Sequence, residues 1–164
     1  MRPRTKSDVA GKPLPQPTHA PTPAQSQTPR LVAVVDDDPS FLRSVDRLLR
    51  SAGYAVVTFD SAGAFLTSIY DISPGCLVLD VHMPEITGLE LQDRLLKEGF
   101  DIPILLLTAY DTPLTRDHAH RPNCLGLLLK PFDKESLLEV IATAFATPPE
   151  PDPNNDEPPD SFCI

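Results

Sequence analysis

Five short apolar runs, each followed by a stretch of helical spacing, limit what this chain can fold into. The runs are Leu31–Val35, Tyr54–Phe59, Leu77–Leu79, Ile102–Leu107 and Leu125–Leu129. Runs this short, with little polar alternation, read as strands buried on both faces. Behind the first run, Asp38 is placed to cap a helix and Pro39 to occupy its first turn. Phe41, Leu42, Val45, Leu48 and Leu49 then form one apolar helical face. Ser61–Ile69 and Gly88–Lys97 repeat the pattern, and Asp133 caps a last helix carrying Leu137, Leu138, Ile141 and Phe145. Gly53 and Gly99 suit left-handed stops after the first and third helices. Thr112–His120 is the weakest helix, mostly polar and limited by Pro122. Strand and helix alternating five times imply an α/β fold: a parallel sheet covered on both faces, with right-handed crossovers.

In such a sheet the C-terminal ends of the strands share one rim, and ligands bind there. Polar residues stand at four of those ends: Asp36-Asp37-Asp38, Asp80, Thr108 and Lys130. Three carboxylates, Asp36, Asp37 and Asp80, would converge, and like charges this close are tolerable only beside a cation. Hard oxygen ligands favour Mg2+, which keeps several waters and accepts a phosphate oxygen. Lys130 adds a fixed positive charge and Thr108 a hydroxyl. The set suits one phosphoryl group, attacked by Asp80 and neutralised by metal and lysine. Taken one at a time, each residue has a plainer use: acids after strands cap helices, and a lone Lys is a solvated charge. It is their joint placement, in order along one βα repeat, that points to chemistry.

Composition separates a core from its ends. Of 20 prolines, seven fall in residues 1–30 and six in 146–164, so a disordered Pro-rich arm and a disordered acidic tail (147–164) are expected around a domain at 31–146. Residues 31–145 carry 17 acidic and 9 basic residues, and this balance of −8 argues against direct DNA or RNA binding. No apolar run approaches the ~20 residues of a membrane span, and the basic leader has no apolar core of a signal peptide. Three unpaired-looking cysteines, Cys76, Cys124 and Cys163, fit a reduced, cytoplasmic setting. His118, His120 and Cys124 do not make a zinc site, since residues two apart on a helix do not share a face.

Val34-Val35-Asp36-Asp37, Leu79-Asp80-Val81-His82-Met83-Pro84 with Gly88, Leu107-Thr108-Ala109 and Lys130-Pro131-Phe132 together resemble the receiver domains of two-component response regulators. The resemblance spans about 31–145. It implies a flavodoxin-like (βα)5 doubly wound sandwich with strand order 2-1-3-4-5. It implies that Asp80 takes phosphoryl from a sensor histidine kinase or a histidine phosphotransfer protein. It makes Asp37 a direct Mg2+ ligand, Asp36 a largely water-mediated one, and the His82 backbone carbonyl a third. Thr108 and Lys130 become a switch pair, and Lys130-Pro131 a cis bond. His82 and Tyr110 would flank the mouth of the site and govern phosphoryl lifetime. Two positions depart from the family pattern. Leu127 replaces the usual aromatic three residues before the lysine, and Asn123 takes a glycine's place after the fourth helix, where it could supply a left-handed cap.

The expected function is a stand-alone phosphorelay switch, catalysing its own phosphorylation and hydrolysis and acting on a downstream protein target. A phosphorylation-independent adaptor of the same fold is the alternative, favoured by Leu127 and disfavoured by the intact Asp36, Asp37, Asp80, Thr108 and Lys130. An Asp-based phosphohydrolase would want an acid two residues after the nucleophile, where His82 stands.

Overall fold

The computed structural model describes residues 30–146. The arm and tail expected at the two ends lie outside the described residues. Five strands, β1 Leu31–Val35, β2 Ala55–Phe59, β3 Cys76–Asp80, β4 Ile104–Thr108 and β5 Cys124–Leu129, alternate with five helices. The helices are α1 Pro39–Ser51, α2 Ala62–Ser68, α3 Gly88–Lys97, α4 Pro113–Ala119 and α5 Lys134–Ala144. All strand pairs are parallel and the sheet order is β2-β1-β3-β4-β5, as the resemblance implies.

Side chains along a strand alternate between faces, and this alternation divides the core in two. Ala33, Val35, Leu77, Leu79, Ile104 and Leu106 face one side, covered by Phe65 and Ile69 at α2 and Leu91 and Leu95 of α3. Val32, Val34, Val78, Leu105 and Leu107 face the other, covered by Val45 and Leu49 of α1 and Leu137 and Ile141 of α5. Each fully buried aliphatic side chain contributes about 1.5–3 kcal/mol, so the central strands anchor the domain. Their C-terminal ends are thereby held rigidly at one rim.

Local chemistry sets the element ends. Asp38 Oδ1 accepts from the Ser40 amide at 2.8 Å, capping α1 as expected. Gly53 and Gly99 take φ of 92° and 83°. β2 begins at Ala55, because the Tyr54 amide turns back to the Leu49 carbonyl to close α1. β4 begins at Ile104 rather than Ile102: Pro103 has no N–H to give, and its carbonyl accepts from Leu77 at 2.8 Å.

The fourth helix is weak, but differently from its expected weakness. α4 buries only the polar Thr115 and His118. His118 Nδ1 lies 2.9 Å from Gln92 Oε1 of α3, so a polar pair replaces an apolar contact. Asn123 is not a left-handed cap. Among the described residues the positive-φ positions are Gly53, Gly99 and Glu85, and α4 ends on His120, whose amide bonds back to Asp117 and His118. Asn123 is instead buried: its carbonyl accepts from Ile104 at 2.7 Å and its Oδ1 faces Gln92 Nε2 at 3.4 Å. A further turn through Arg121 carries the chain into β5, so no reversal is needed at position 123. Among the described residues, no helix is long and apolar enough to cross a membrane.

Candidate functional site

β1 and β3 lie side by side at the centre of the sheet, which brings their terminal acids together. Asp36 follows β1, its amide bonded to the Phe59 carbonyl at 3.1 Å. Its side chain is almost wholly buried; Oδ1 accepts from the Asp38 amide at 2.9 Å and Oδ2 from Lys130 Nζ at 2.6 Å. Asp80 ends β3, also buried, with Oδ1 3.1 Å from the same ammonium. Asp37 is exposed. One oxygen from each of Asp36, Asp37 and Asp80 lies within 4.8 Å of the others, the one such acid cluster among the described residues.

Lys130 reaches this cluster from the far strand. Its amide bonds to the Thr108 carbonyl at 2.8 Å, fixing the end of β5 to the end of β4. The Lys130–Pro131 peptide is cis, as the resemblance implies. The ammonium also lies 4.3 Å from the Phe41 ring centroid, and Phe41 meets Phe132 edge to face at 6.2 Å. The Phe41 contact could not be read from helical spacing, which makes Phe41 simply one residue of an apolar face.

The charges act on one another. Burial pushes the Asp80 carboxyl above its usual range; the bond and charge of Lys130 pull it down, and Asp36 and Asp37 push it up again. Burial also works against the charge on Lys130, but its hydrogen bonds to Asp36 and Asp80 outweigh this and hold its pKa high. Three carboxylates around one ammonium leave an excess of negative charge in a shallow cup. Such a cup attracts a further hard cation, and its donors are all oxygen.

Thr108 is fully buried at the end of β4. Its hydroxyl donates to the Tyr110 carbonyl at 2.9 Å and accepts from the Tyr110 amide at 3.2 Å. His82 Nδ1 lies 3.5 Å from the same oxygen, and the His82 and Tyr110 rings meet edge to face at 5.5 Å. The two expected mouth residues are therefore in contact, and both are exposed.

Gly88 supports Asp80 from behind. A Cβ at Gly88 would come within 2.1 Å of the Asp80 carbonyl oxygen, so only glycine permits this approach. The Gly88 amide donates to Val81 at 3.0 Å, and the Thr87–Glu90 capping box fixes the start of α3 beside it. Leu127 is half-buried against the α2–α3 side of the core. His118, His120 and Cys124 form no metal-binding group: His118 is buried against Gln92 while His120 is exposed.

Residues 32–142 match the family model of the response regulator receiver domain. The chain is 38% identical over 121 residues to the response regulator protein TmoT of Ectopseudomonas mendocina, covering 73% of this chain and 54% of that protein. It is 39% identical over 114 residues to the transcriptional regulatory protein FixJ of Bradyrhizobium diazoefficiens, covering 69% and 55%. The chain thus spans about half the length of these relatives. Among solved structures, chemotaxis protein CheY4 of Vibrio cholerae aligns with a TM-score of 0.64 at 29% identity, covering 71% of this chain and 98% of that one. Full-length FixJ from B. japonicum aligns at 0.65 and 37% identity, covering 70% and 57%.

Proposed function

This chain belongs to the response regulator receiver domain family, and from that premise we propose that Asp80 is its phosphoacceptor, loaded by a sensor histidine kinase or a histidine phosphotransfer protein. The observation that carries the reading is Lys130 Nζ, which meets Asp36 at 2.6 Å and Asp80 at 3.1 Å in one cup. Lys130 binds Asp80 Oδ1, so the other carboxylate oxygen is available to attack phosphorus. The phosphorus–nitrogen bond of the donor breaks with its electrons going to the histidine, and an acyl-phosphate forms on Asp80.

Asp36, Asp37 and Asp80 fit Mg2+ by donor type and spacing, and would hold it together with the His82 backbone carbonyl that the resemblance to receiver domains implies. When bound, Mg2+ supplies neutralisation of the phosphoryl oxygens. Asp36, already committed to Lys130 and the Asp38 amide, suits a water-mediated contact; the exposed Asp37 suits a direct one. Lys130 neutralises a second phosphoryl oxygen. Thr108 reaches the third only by leaving the Tyr110 carbonyl, so phosphorylation moves the segment that carries Tyr110. That movement is the signal read by a downstream protein target.

The domain in this reading is a cytoplasmic signalling switch that catalyses its own phosphorylation and dephosphorylation. All five site residues are intact, and the phosphorylation-independent adaptor is not favoured. Incubation with phosphoramidate and Mg2+ followed by intact-mass analysis tests the proposal. A gain of one phosphoryl group is expected in the parent and none in Asp80→Asn; no gain in the parent overturns it.

A further inference from the structure

The end of the sheet opposite the acid cluster carries a second built feature. Tyr70, Ile72, Pro74, Phe100 and Ile102 line a groove between the α2–β3 and α3–β4 connections. Tyr70 is 76% exposed, the highest value among the large apolar residues at the surface of the described residues. It does not lie loose: its ring meets Phe100 edge to face at 5.6 Å and its hydroxyl donates to Glu98 at 3.3 Å. The rim is acidic, with exposed Asp71, Glu98 and Asp101 in the two connections. Among the described residues no Lys or Arg lines the groove, and Lys97, beside Glu98, lines a different one with Arg94 and Arg121.

We propose that this groove is the docking site of the chain's own segment Lys12-Pro13-Leu14-Pro15-Gln16-Pro17. Proline-rich segments lose little entropy on binding and pack against aromatic-lined grooves. This segment holds three prolines at alternate positions, a leucine to fill the groove, and Lys12 to meet the acidic rim. The way in is short. The amide of Gly75, beside Pro74 at the edge of the groove, donates to the Leu31 carbonyl at 2.9 Å, so the segment's attachment point adjoins its dock. The residues between Pro17 and Leu31 can span about 45 Å, far more than this separation demands. The tether makes the contact intramolecular and raises its effective concentration to roughly millimolar.

Charge selects among the chain's own segments. Phe145, at the end of α5, also packs against Gly75, so the residues beyond 146 leave from the same end of the sheet. They too are rich in proline, but they carry Glu150, Asp152, Asp156, Glu157 and Asp160 and no base, which an acidic rim repels. The leading segment, with Arg2, Arg4, Lys6 and Lys12 against Asp8, is attracted.

The test uses the full chain, isotope-labelled, at low ionic strength. Nuclear Overhauser contacts are expected between the Pro13 or Pro15 ring protons and the Tyr70 or Phe100 rings. They should vanish in Tyr70→Ala, whose exposed position leaves folding intact, and weaken severalfold in Lys12→Glu or at high salt. Phosphoramidate labelling should be unchanged in both variants, which separates this result from the fate of Asp80. Absence of such contacts in the parent overturns the proposal. So do contacts from Pro148–Pro153 instead, or contacts that are intermolecular in mixed-label samples, which would make the occupant the trailing segment or a second copy.

Discussion

Lys130 Nζ stands 2.6 Å from Asp36 Oδ2, joining the end of the last strand to the end of the first across 94 positions of sequence. Neither strand neighbours the other in the sheet; β3 and β4 lie between them. The long lysine stem spans that gap, and the ammonium ends over the Phe41 ring. Asp36 is buried, and the Lys130 ammonium is the cation that its carboxylate meets.

Replacing Lys130 by Ala therefore leaves a buried carboxylate pair without its counter-charge. Breaking a buried pair costs about 3–5 kcal/mol; the Lys130 side chain is 26% exposed, which lowers the expectation to about 2–3 kcal/mol. Urea unfolding at neutral pH measures it. Mg2+ should recover part of the loss by supplying a substitute cation.

Asp80→Asn should act in the opposite sense. Burial raises the Asp80 carboxyl in the folded state, above the ~3.9 of an unfolded aspartate. Between those two values the native state binds more protons than the unfolded one, so stability falls as pH rises through that window. Asparagine carries no such penalty. Without divalent cations the variant should melt a few degrees above the parent at pH 7, with the gap closing below pH ~4. Saturating Mg2+ should reverse the order, since a ligand at 100 times its Kd stabilises the parent by about 2.7 kcal/mol.

Gly88→Ala tests the backbone behind the phosphoacceptor. The new methyl would lie 2.1 Å from the Asp80 carbonyl oxygen and 3.0 Å from Val81 Cα, both backbone atoms that cannot turn aside. Overpacking of this kind costs about 1–3 kcal/mol. The displaced segment carries Asp80, so phosphoramidate labelling should slow more than the loss of stability explains. Thermal unfolding and labelling rates, compared on one preparation, check both.

The sheet and the membership of the rim were legible in the sequence, because a two-sided core demands unbroken apolar strands and the polar residues stood out at their ends; the strand order came only from the resemblance to receiver domains. Leu77–Leu79 running into Asp80 is the clearest case. What could not be read was which partner each polar group takes. Asp36 and Asp37 are adjacent and chemically identical, yet one is buried on Lys130 and the other faces solvent. Asn123 has the chemistry of a left-handed cap, but tertiary packing against Gln92 decided its place. His118 sits on a helix that buries nothing apolar, and its ring is met by the Gln92 side chain, 26 positions away, with Asp93 beyond it.

His82→Ala should alter the lifetime of the phosphoprotein. The His82 ring packs on Tyr110 at 5.5 Å and lies 3.5 Å from the Thr108 hydroxyl, so its loss removes two contacts of the Thr108–Tyr110 segment. A change of about threefold, some 0.7 kcal/mol in barrier height, is expected in the half-life followed by intact mass after donor removal. An unchanged half-life would mean the ring does not govern water access.

The most direct measurement is chemical trapping at Asp80. Borohydride reduces an acyl-phosphate to the alcohol, converting a phosphorylated aspartate to homoserine, which peptide mass mapping locates. After treatment with phosphoramidate and Mg2+, homoserine should appear at position 80 and at neither Asp36 nor Asp37. Homoserine at Asp36 or Asp37, or at no position, would contradict the assignment of Asp80 as phosphoacceptor.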